Sequence, residues 1–295
     1  MLLPALLGTL VVVPLALIRA YRAAGDKLVE GWARAHDLVL TPQNRPMASW
    51  YLRTSGILRT WGAVAGVVLP AAFALAWSGH LEILGVDSAG GTNPGVVSWI
   101  FLGYLVGALY AEVSLVRPID PVRRAASVVS RDVADYLPRG LVLAPRLLGA
   151  AVAIGIVGSL ALPYDEGPRG PSATMVVVFL GWVAALVWGL ERLQRWLIRR
   201  PQPFTDPSLV AADDAIRSQS VHSVAGAGLA VLLFMFAGVA ALLASSDVAV
   251  LRWTMWLPAL VAALLALGAC QYLAHLPWRV RRPSASRPRP GPAPG

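Results

Sequence analysis

A chain of 295 residues, 57% hydrophobic and only 14% charged, has too few polar groups to coat a water-facing surface, since a soluble domain carries about 25% charged residues. That excludes an ordinary soluble domain and predicts an all-α, polytopic transmembrane helical bundle. The net charge of +9 suits nucleic acid or lipid head groups alike, and its distribution along the chain decides between them.

A helix needs about 20 apolar residues to cross a bilayer core. Seven runs qualify: Leu2–Ile18, Trp61–Ser78, Val96–Val116, Leu147–Pro163, Ala173–Leu190, Ser223–Ala244 and Trp253–Ala274. The first has no charge ahead of it, so it reads as a retained helix and not as a cleaved signal peptide. After it, Thr41-Pro42 looks like a helix start, because a side-chain oxygen can accept the free N–H groups of a first turn and proline has none to lose. In spans two and three, "GAVAG" and "GYLVG" are small-xxx-small motifs that let backbones approach, within this bundle before any dimer. The loop between them holds His80, Glu82 and Asp87, too sparse a set to specify a metal, and reads as solvated.

Glu112 stands 16 residues into the third span and Glu191 just past the fifth. Both fall near the cytoplasmic boundary, where pairing with arginines such as Arg146 and Arg195 competes with lining a vestibule. Pro70 and Pro258 fall inside spans and predict kinks. Cys270, the single cysteine, reads as a packing residue, and neither CxxC nor Cys/His metal spacing occurs. The tail, residues 279–295, is basic and proline-rich and predicts disorder; each arginine beside anionic lipid contributes about 1 kcal/mol of attraction.

Of the 25 basic residues, 23 fall on one side of a seven-span chain, leaving only Arg169 and Arg252 on the other. The positive-inside rule then puts the N-terminus outside and the C-terminus in the cytoplasm. The charge is topological, which removes the nucleic-acid reading and leaves the bilayer and its anionic head groups as partners.

An internal repeat overlies this pattern. Thr41-Pro42, Asp120-Pro121 and Asp206-Pro207 are each followed, 10 or 11 residues on, by Arg53, Arg131 and Arg217. Arg-Pro pairs at 117, 200 and 282 close spans three, five and seven. The expectation is a leading helix and three units, each a short capped interfacial helix, a span, an outer loop and a returning span.

The stretch "DPSLVAADDAIRSQSVH" adds Asp213, Asp214 and His222 to the repeated elements. Two carboxylates, an arginine and a histidine within ten residues raise the possibility of a site. Asp213 and Arg217 are four apart, a common stabilising pair on one helix face, and His222 stands at the mouth of a span. The expectation is a cap, a surface ion pair and an interfacial histidine, with Asp213, Asp214, Arg217, His222, Glu112 and Glu191 as the weak functional candidates. No GxSxG elbow, P-loop, HExxH or pair of intramembrane aspartates occurs, and no cofactor motif stands in the chain.

The phrases "LTPQNRPMASWYLRTSGILRTWG" and "RRPQPFTDPSLVAADDAIRSQSVHSVAGAG" resemble segments of an uncharacterised family of actinobacterial multi-pass membrane proteins. The resemblance implies a bacterial plasma membrane and carries no functional residue. Three function classes remain: a non-enzymatic accessory or scaffold protein with a membrane or cytoplasmic partner, a permease or transport subunit for a small molecule, and an intramembrane enzyme. The last would need His80 or His222 to converge with carboxylates.

Overall fold

The computed structural model describes Arg19 and residues 25–77, 95–114, 132–164, 171–200 and 206–273. Among the described residues every regular element is helical: α1 (Asp26–Ala35), α2 (Arg45–Trp77), α3 (Gly95–Ser114), α4 (Arg139–Gly158), α5 (Ala173–Arg199), α6 (Pro207–Ala244), α7 (Ala249–Thr254) and α8 (Trp256–Leu273). The expected first span, the loop with His80, Glu82 and Asp87, the Asp120-Pro121 cap and the basic tail lie outside the described residues.

Consecutive helices pack on one another, α2 on α3, α4 on α5 and α6 on α8; α3 also touches α6, and α4 and α5 each meet α6 more extensively than they meet one another. Its position follows from its composition. Every residue from Ala215 to Ala230 is buried, and "SVAGAGLA" within that run offers small side chains on all faces, so several helices can surround it closely. The N-terminal ends of α2 and α6 are stitched together by their caps. Thr41 Oγ1 accepts the Asn44 N–H at 3.2 Å while Asn44 Oδ1 accepts the Thr41 N–H at 2.8 Å, a reciprocal cap. Asn44 Nδ2 then donates to the Ser208 carbonyl oxygen at 3.4 Å, next to the Asp206 cap of α6.

Glycines set the closest approach in the fold. A methyl group at Gly103 would lie 2.6 Å from Gly66 Cα, and one at Gly62 the same distance from Gly107 Cα, so α2 and α3 touch backbone to backbone as the two motifs predict. The α4–α5 pair is built differently. Pro145, Gly149, Val152 and Ile156 on α4 recur in steps of four and three, and Val176, Val183, Leu190 and Leu197 on α5 are seven apart. These stripes face both the partner helix and α6: Gly149 meets Val183 and Val187 between α4 and α5, while Leu190 packs on Gly228 of α6. The opposite faces expose Leu147, Ile154, Val177, Trp182 and Trp188, and a surface so apolar belongs against lipid chains.

Four helical stretches among the described residues are long and apolar enough to cross a membrane: Arg139–Ala161, Ala173–Arg199, Pro207–Ala244 and Ala249–Ala266. They mark a membrane protein. The expected spans at 61–78 and 96–116 coincide with α2 and α3 but end outside the described residues.

Three local expectations change. The helix at Thr41-Pro42 starts only at Arg45, after a turn, and neither it nor the helix at the Asp206 cap is a short interfacial piece. They run unbroken into the apolar segments as α2 and α6, of 33 and 38 residues, because no helix-breaking pair separates cap from span. At about 1.5 Å per residue α6 is about 57 Å long, more than a bilayer core of about 30 Å. The expected kink at Pro258 is a break: α7 ends at Thr254, whose carbonyl lacks the proline N–H four residues on, and α8 begins at Trp256. The fourth apolar run begins its helix eight residues early, at Arg139, since a polar first turn is invisible to hydropathy.

Candidate functional site

Asp206 starts α6. Its carboxylate accepts the Ser208 hydroxyl at 2.6 Å and the Ser208 and Leu209 N–H groups at 2.8 and 3.3 Å, bonds that hold it below the usual carboxylate range. Two turns on, Arg217 Nε donates to Asp213 Oδ2 at 2.7 Å. This pair is not at the surface. Asp213 is 5% exposed and Arg217 fully buried, because the C-terminal end of α5 lies over them. Arg217 Nη1 donates to the carbonyl oxygens of Ile198 and Arg200 at 3.2 and 2.5 Å, so the guanidinium completes the end of α5, where carbonyls lack intrahelical partners. Arg53, its partner in the repeat, is exposed, so the two aligned arginines do not share a role.

One turn further, α6 meets α2 and α3 at a carboxylate. Glu112, on the last turns of α3, is fully buried. Tyr51 Oη donates to its Oε1 at 3.0 Å and Arg59 Nη2 to the same oxygen at 3.2 Å, both from α2. Ser220 of α6 donates to Oε2 and lies 3.1 Å from the Tyr51 hydroxyl. Glu112 therefore pairs with Arg59, and not with Arg146 or Arg195. Burying an ion pair costs several kcal/mol unless further hydrogen bonds satisfy the remaining lone pairs; Tyr51 and Ser220 supply those bonds, charge-assisted and hence stronger than neutral ones.

A third face of the same helix meets α1. Val29, Trp32 and Ala33 are buried, the Trp32 and His36 rings meet at a tilt of 52° with centroids 5.0 Å apart, and His36 Nε2 lies 3.2 Å from Gln219 Oε1. Burial lowers the His36 pKa from 6.5, with the Gln219 bond opposing it. His222 is 2% exposed, enclosed by the surrounding helices, and its Nδ1 is 2.8 Å from the Ser218 carbonyl oxygen of its own helix. Asp214 is half-buried one residue beyond the ion pair.

Of the six candidates, the fold gathers Asp213, Arg217, His222 and Glu112 around the buried N-terminal half of α6. Glu191 stands elsewhere, on the α4–α5 pair, where it accepts Arg146 Nη2 at 3.0 Å and Arg195 Nη2 at 2.8 Å. Tyr51, Arg59 and Ser220 were not singled out by the sequence. A signal existed for one of them: Arg59 lies two residues before a span and Glu112 four before the end of the next, so opposite charges sit at equal depth on neighbouring helices. Among the described residues no three His, Cys, Asp or Glu side chains are grouped as metal ligands.

Chemically, this junction holds charge in place. Each ionic group at its centre faces an opposite charge or a helix end, and the hydroxyls complete the carboxylate's acceptors. No known protein family, curated protein or solved structure matches the chain.

Proposed function

We propose that this chain is a non-enzymatic accessory or scaffold component of a bacterial plasma-membrane complex. It crosses the bilayer about seven times, with its N-terminus outside, its C-terminus in the cytoplasm and its basic segments against anionic head groups. The resemblance to actinobacterial multi-pass proteins and the three packed helix pairs belong to the same reading. One observation carries it: Glu112 is satisfied internally by Arg59, Tyr51 and Ser220, and Arg217 by Asp213 and the end of α5. Groups so engaged with one another brace a platform; a substrate path needs groups that face a passing solute.

A permease or transport subunit is the second reading. The run Ser218, Gln219, Ser220, His222 and Ser223, buried in the central helix, favours it, because such residues can line a route. Gentle nanodisc extraction of the tagged protein from its own host, followed by mass spectrometry, separates the two. A stoichiometric protein partner is the expected result. Recovery of the chain alone, together with solute flux in proteoliposomes that Ser220→Ala abolishes, would replace the scaffold by the permease.

A further inference from the structure

The ends of α4 and α5 that carry Glu191 hold a concentration of cations that the junction around α6 does not use. Trp188, Arg192, Arg195 and Arg199 follow one another at steps of four, three and four residues, which places them on one face of α5. Arg139 and Arg146, seven apart, share a face of α4. Glu191 joins the two faces, accepting Arg146 Nη2 at 3.0 Å and Arg195 Nη2 at 2.8 Å. It fixes two of the five guanidinium groups in place, and Asp132 and Asp135 stand on a short 3-10 turn packed against both helices. All five arginines are exposed, and among the described residues no ion pair engages Arg139, Arg192 or Arg199.

What flanks the cations is apolar. Leu143 and Leu147 on α4 and Trp188 on α5 are 50%, 70% and 69% exposed, one to two turns further into the bundle. A tryptophan at this level is the usual marker of the head-group layer. An acidic protein would match the charge but would leave these three side chains facing acyl chains beside it. A lipid matches both, with its phosphate on the arginines and its chains along the leucines.

We propose that the inner ends of α4 and α5 form a binding cleft for the phosphate head groups of anionic lipids, with preference for a head group bearing two phosphates. The preference follows from charge and spacing. Five guanidinium groups against Glu191, Asp132 and Asp135 leave more positive charge than a single phosphodiester neutralises, and Arg192 and Arg199 stand about 10 Å apart along the helix, far enough to hold two phosphates. Arginine suits the task because its planar fork binds phosphate oxygens in pairs. Glu191 organises the cleft without closing it. The inference rests on the membrane-crossing part of the proposed function and not on a protein partner.

The test reconstitutes the full chain in nanodiscs of phosphatidylcholine alone, or with one-fifth phosphatidylglycerol or one-fifth diphosphatidylglycerol, and measures thermal midpoint and retained lipid. The expected order of midpoints is diphosphatidylglycerol, then phosphatidylglycerol, then phosphatidylcholine. The Arg192→Gln/Arg199→Gln double variant abolishes the differences while keeping the phosphatidylcholine midpoint, and Arg34→Gln, on α1, preserves the order. Equal midpoints in all three lipids, an order untouched by the double variant, or the same shift from inorganic phosphate would overturn the cleft. Failure to enter nanodiscs at all would overturn the membrane reading with it.

Discussion

Two parts of this bundle are held together by opposite means. Around the N-terminal half of α6, helices α2, α3 and α5 meet through charges and hydroxyls taken out of solvent: Glu112 with Arg59, Tyr51 and Ser220, and Arg217 with Asp213 and the end of α5. Between α4 and α5 the seam is apolar, and the ion pairs of Glu191 lie at its rim, with Arg146 and Arg195 about half exposed. An exposed pair contributes about 0–1 kcal/mol, whereas breaking a buried one costs about 3–5 kcal/mol because the surviving charge is stranded. The same residue types thus carry different energies according to what the surrounding helices exclude.

The largest effect tests the buried side of that contrast. Glu112→Ala strands Arg59 and removes the acceptor of two hydroxyls, so thermal unfolding in detergent should register a loss of about 3–5 kcal/mol. Arg59→Met combined with Glu112→Gln should recover more than half, since no charge is left buried. A Glu112→Ala protein as stable as wild type would show that the ion pair does not hold α2, α3 and α6 together. Glu191→Ala, by comparison, should cost less than about 1 kcal/mol.

Glycine substitutions sharpen the contrast at the packing level. Gly103→Ala drives a methyl group against the Gly66 backbone, and a backbone cannot rotate aside, so the upper part of the about 1–3 kcal/mol overpacking range is expected. Gly228→Ala meets the side chain of Leu190, clashing with both Cδ methyls and, less severely, with Cγ at 3.0 Å. That side chain can change rotamer, and the gain in helix propensity of about 1 kcal/mol offsets much of the strain. Unfolding midpoints that fall equally for the two variants would contradict this account of the α2–α3 contact.

Asp206→Ala removes the cap of α6 and should cost about 1 kcal/mol, with hydrogen exchange accelerated at Ser208 and Leu209 and unchanged in the apolar half of the helix. Acceleration along all of α6 would mean that the cap nucleates the whole element.

The smallest effect concerns pH. Folding lowers the His36 pKa from 6.5, so below that value the unfolded chain binds more protons than the folded one. The contribution of neutral His36 is complete above about pH 6.5 and is lost as the pH falls toward the folded value. Wild type should therefore lose more stability than His36→Gln between pH 7 and pH 5, read as the difference in midpoint. Parallel pH profiles would remove His36 from the docking of α1.

The candidate residues were legible to different depths. The Asp206 cap was readable because the N–H groups that donate to it lie two and three residues away. The Glu191–Arg195 pair followed from a spacing of four. Arg217 was read as half of a surface pair for the same reason, and the spacing was right while the environment was not: its burial depends on where α5 ends, 17 and 19 residues earlier in the chain. Arg59 and Glu112 are separated by 53 residues and Glu112 and Ser220 by 108, and helix periodicity carries no information across such intervals.

By itself, then, the amino-acid order determined that the described chain is helical, where most of its apolar segments lie, and that Asp206 opens a helix. Those outcomes depend on hydrogen bonds between near neighbours and on the low polarity of whole segments. Only the tertiary structure decided which polar side chains leave water, that Glu112 answers to Arg59, and that Arg217 finishes a helix other than its own. Burial is a property of what packs around a residue, and on α6 the surrounding helices come from distant parts of the chain.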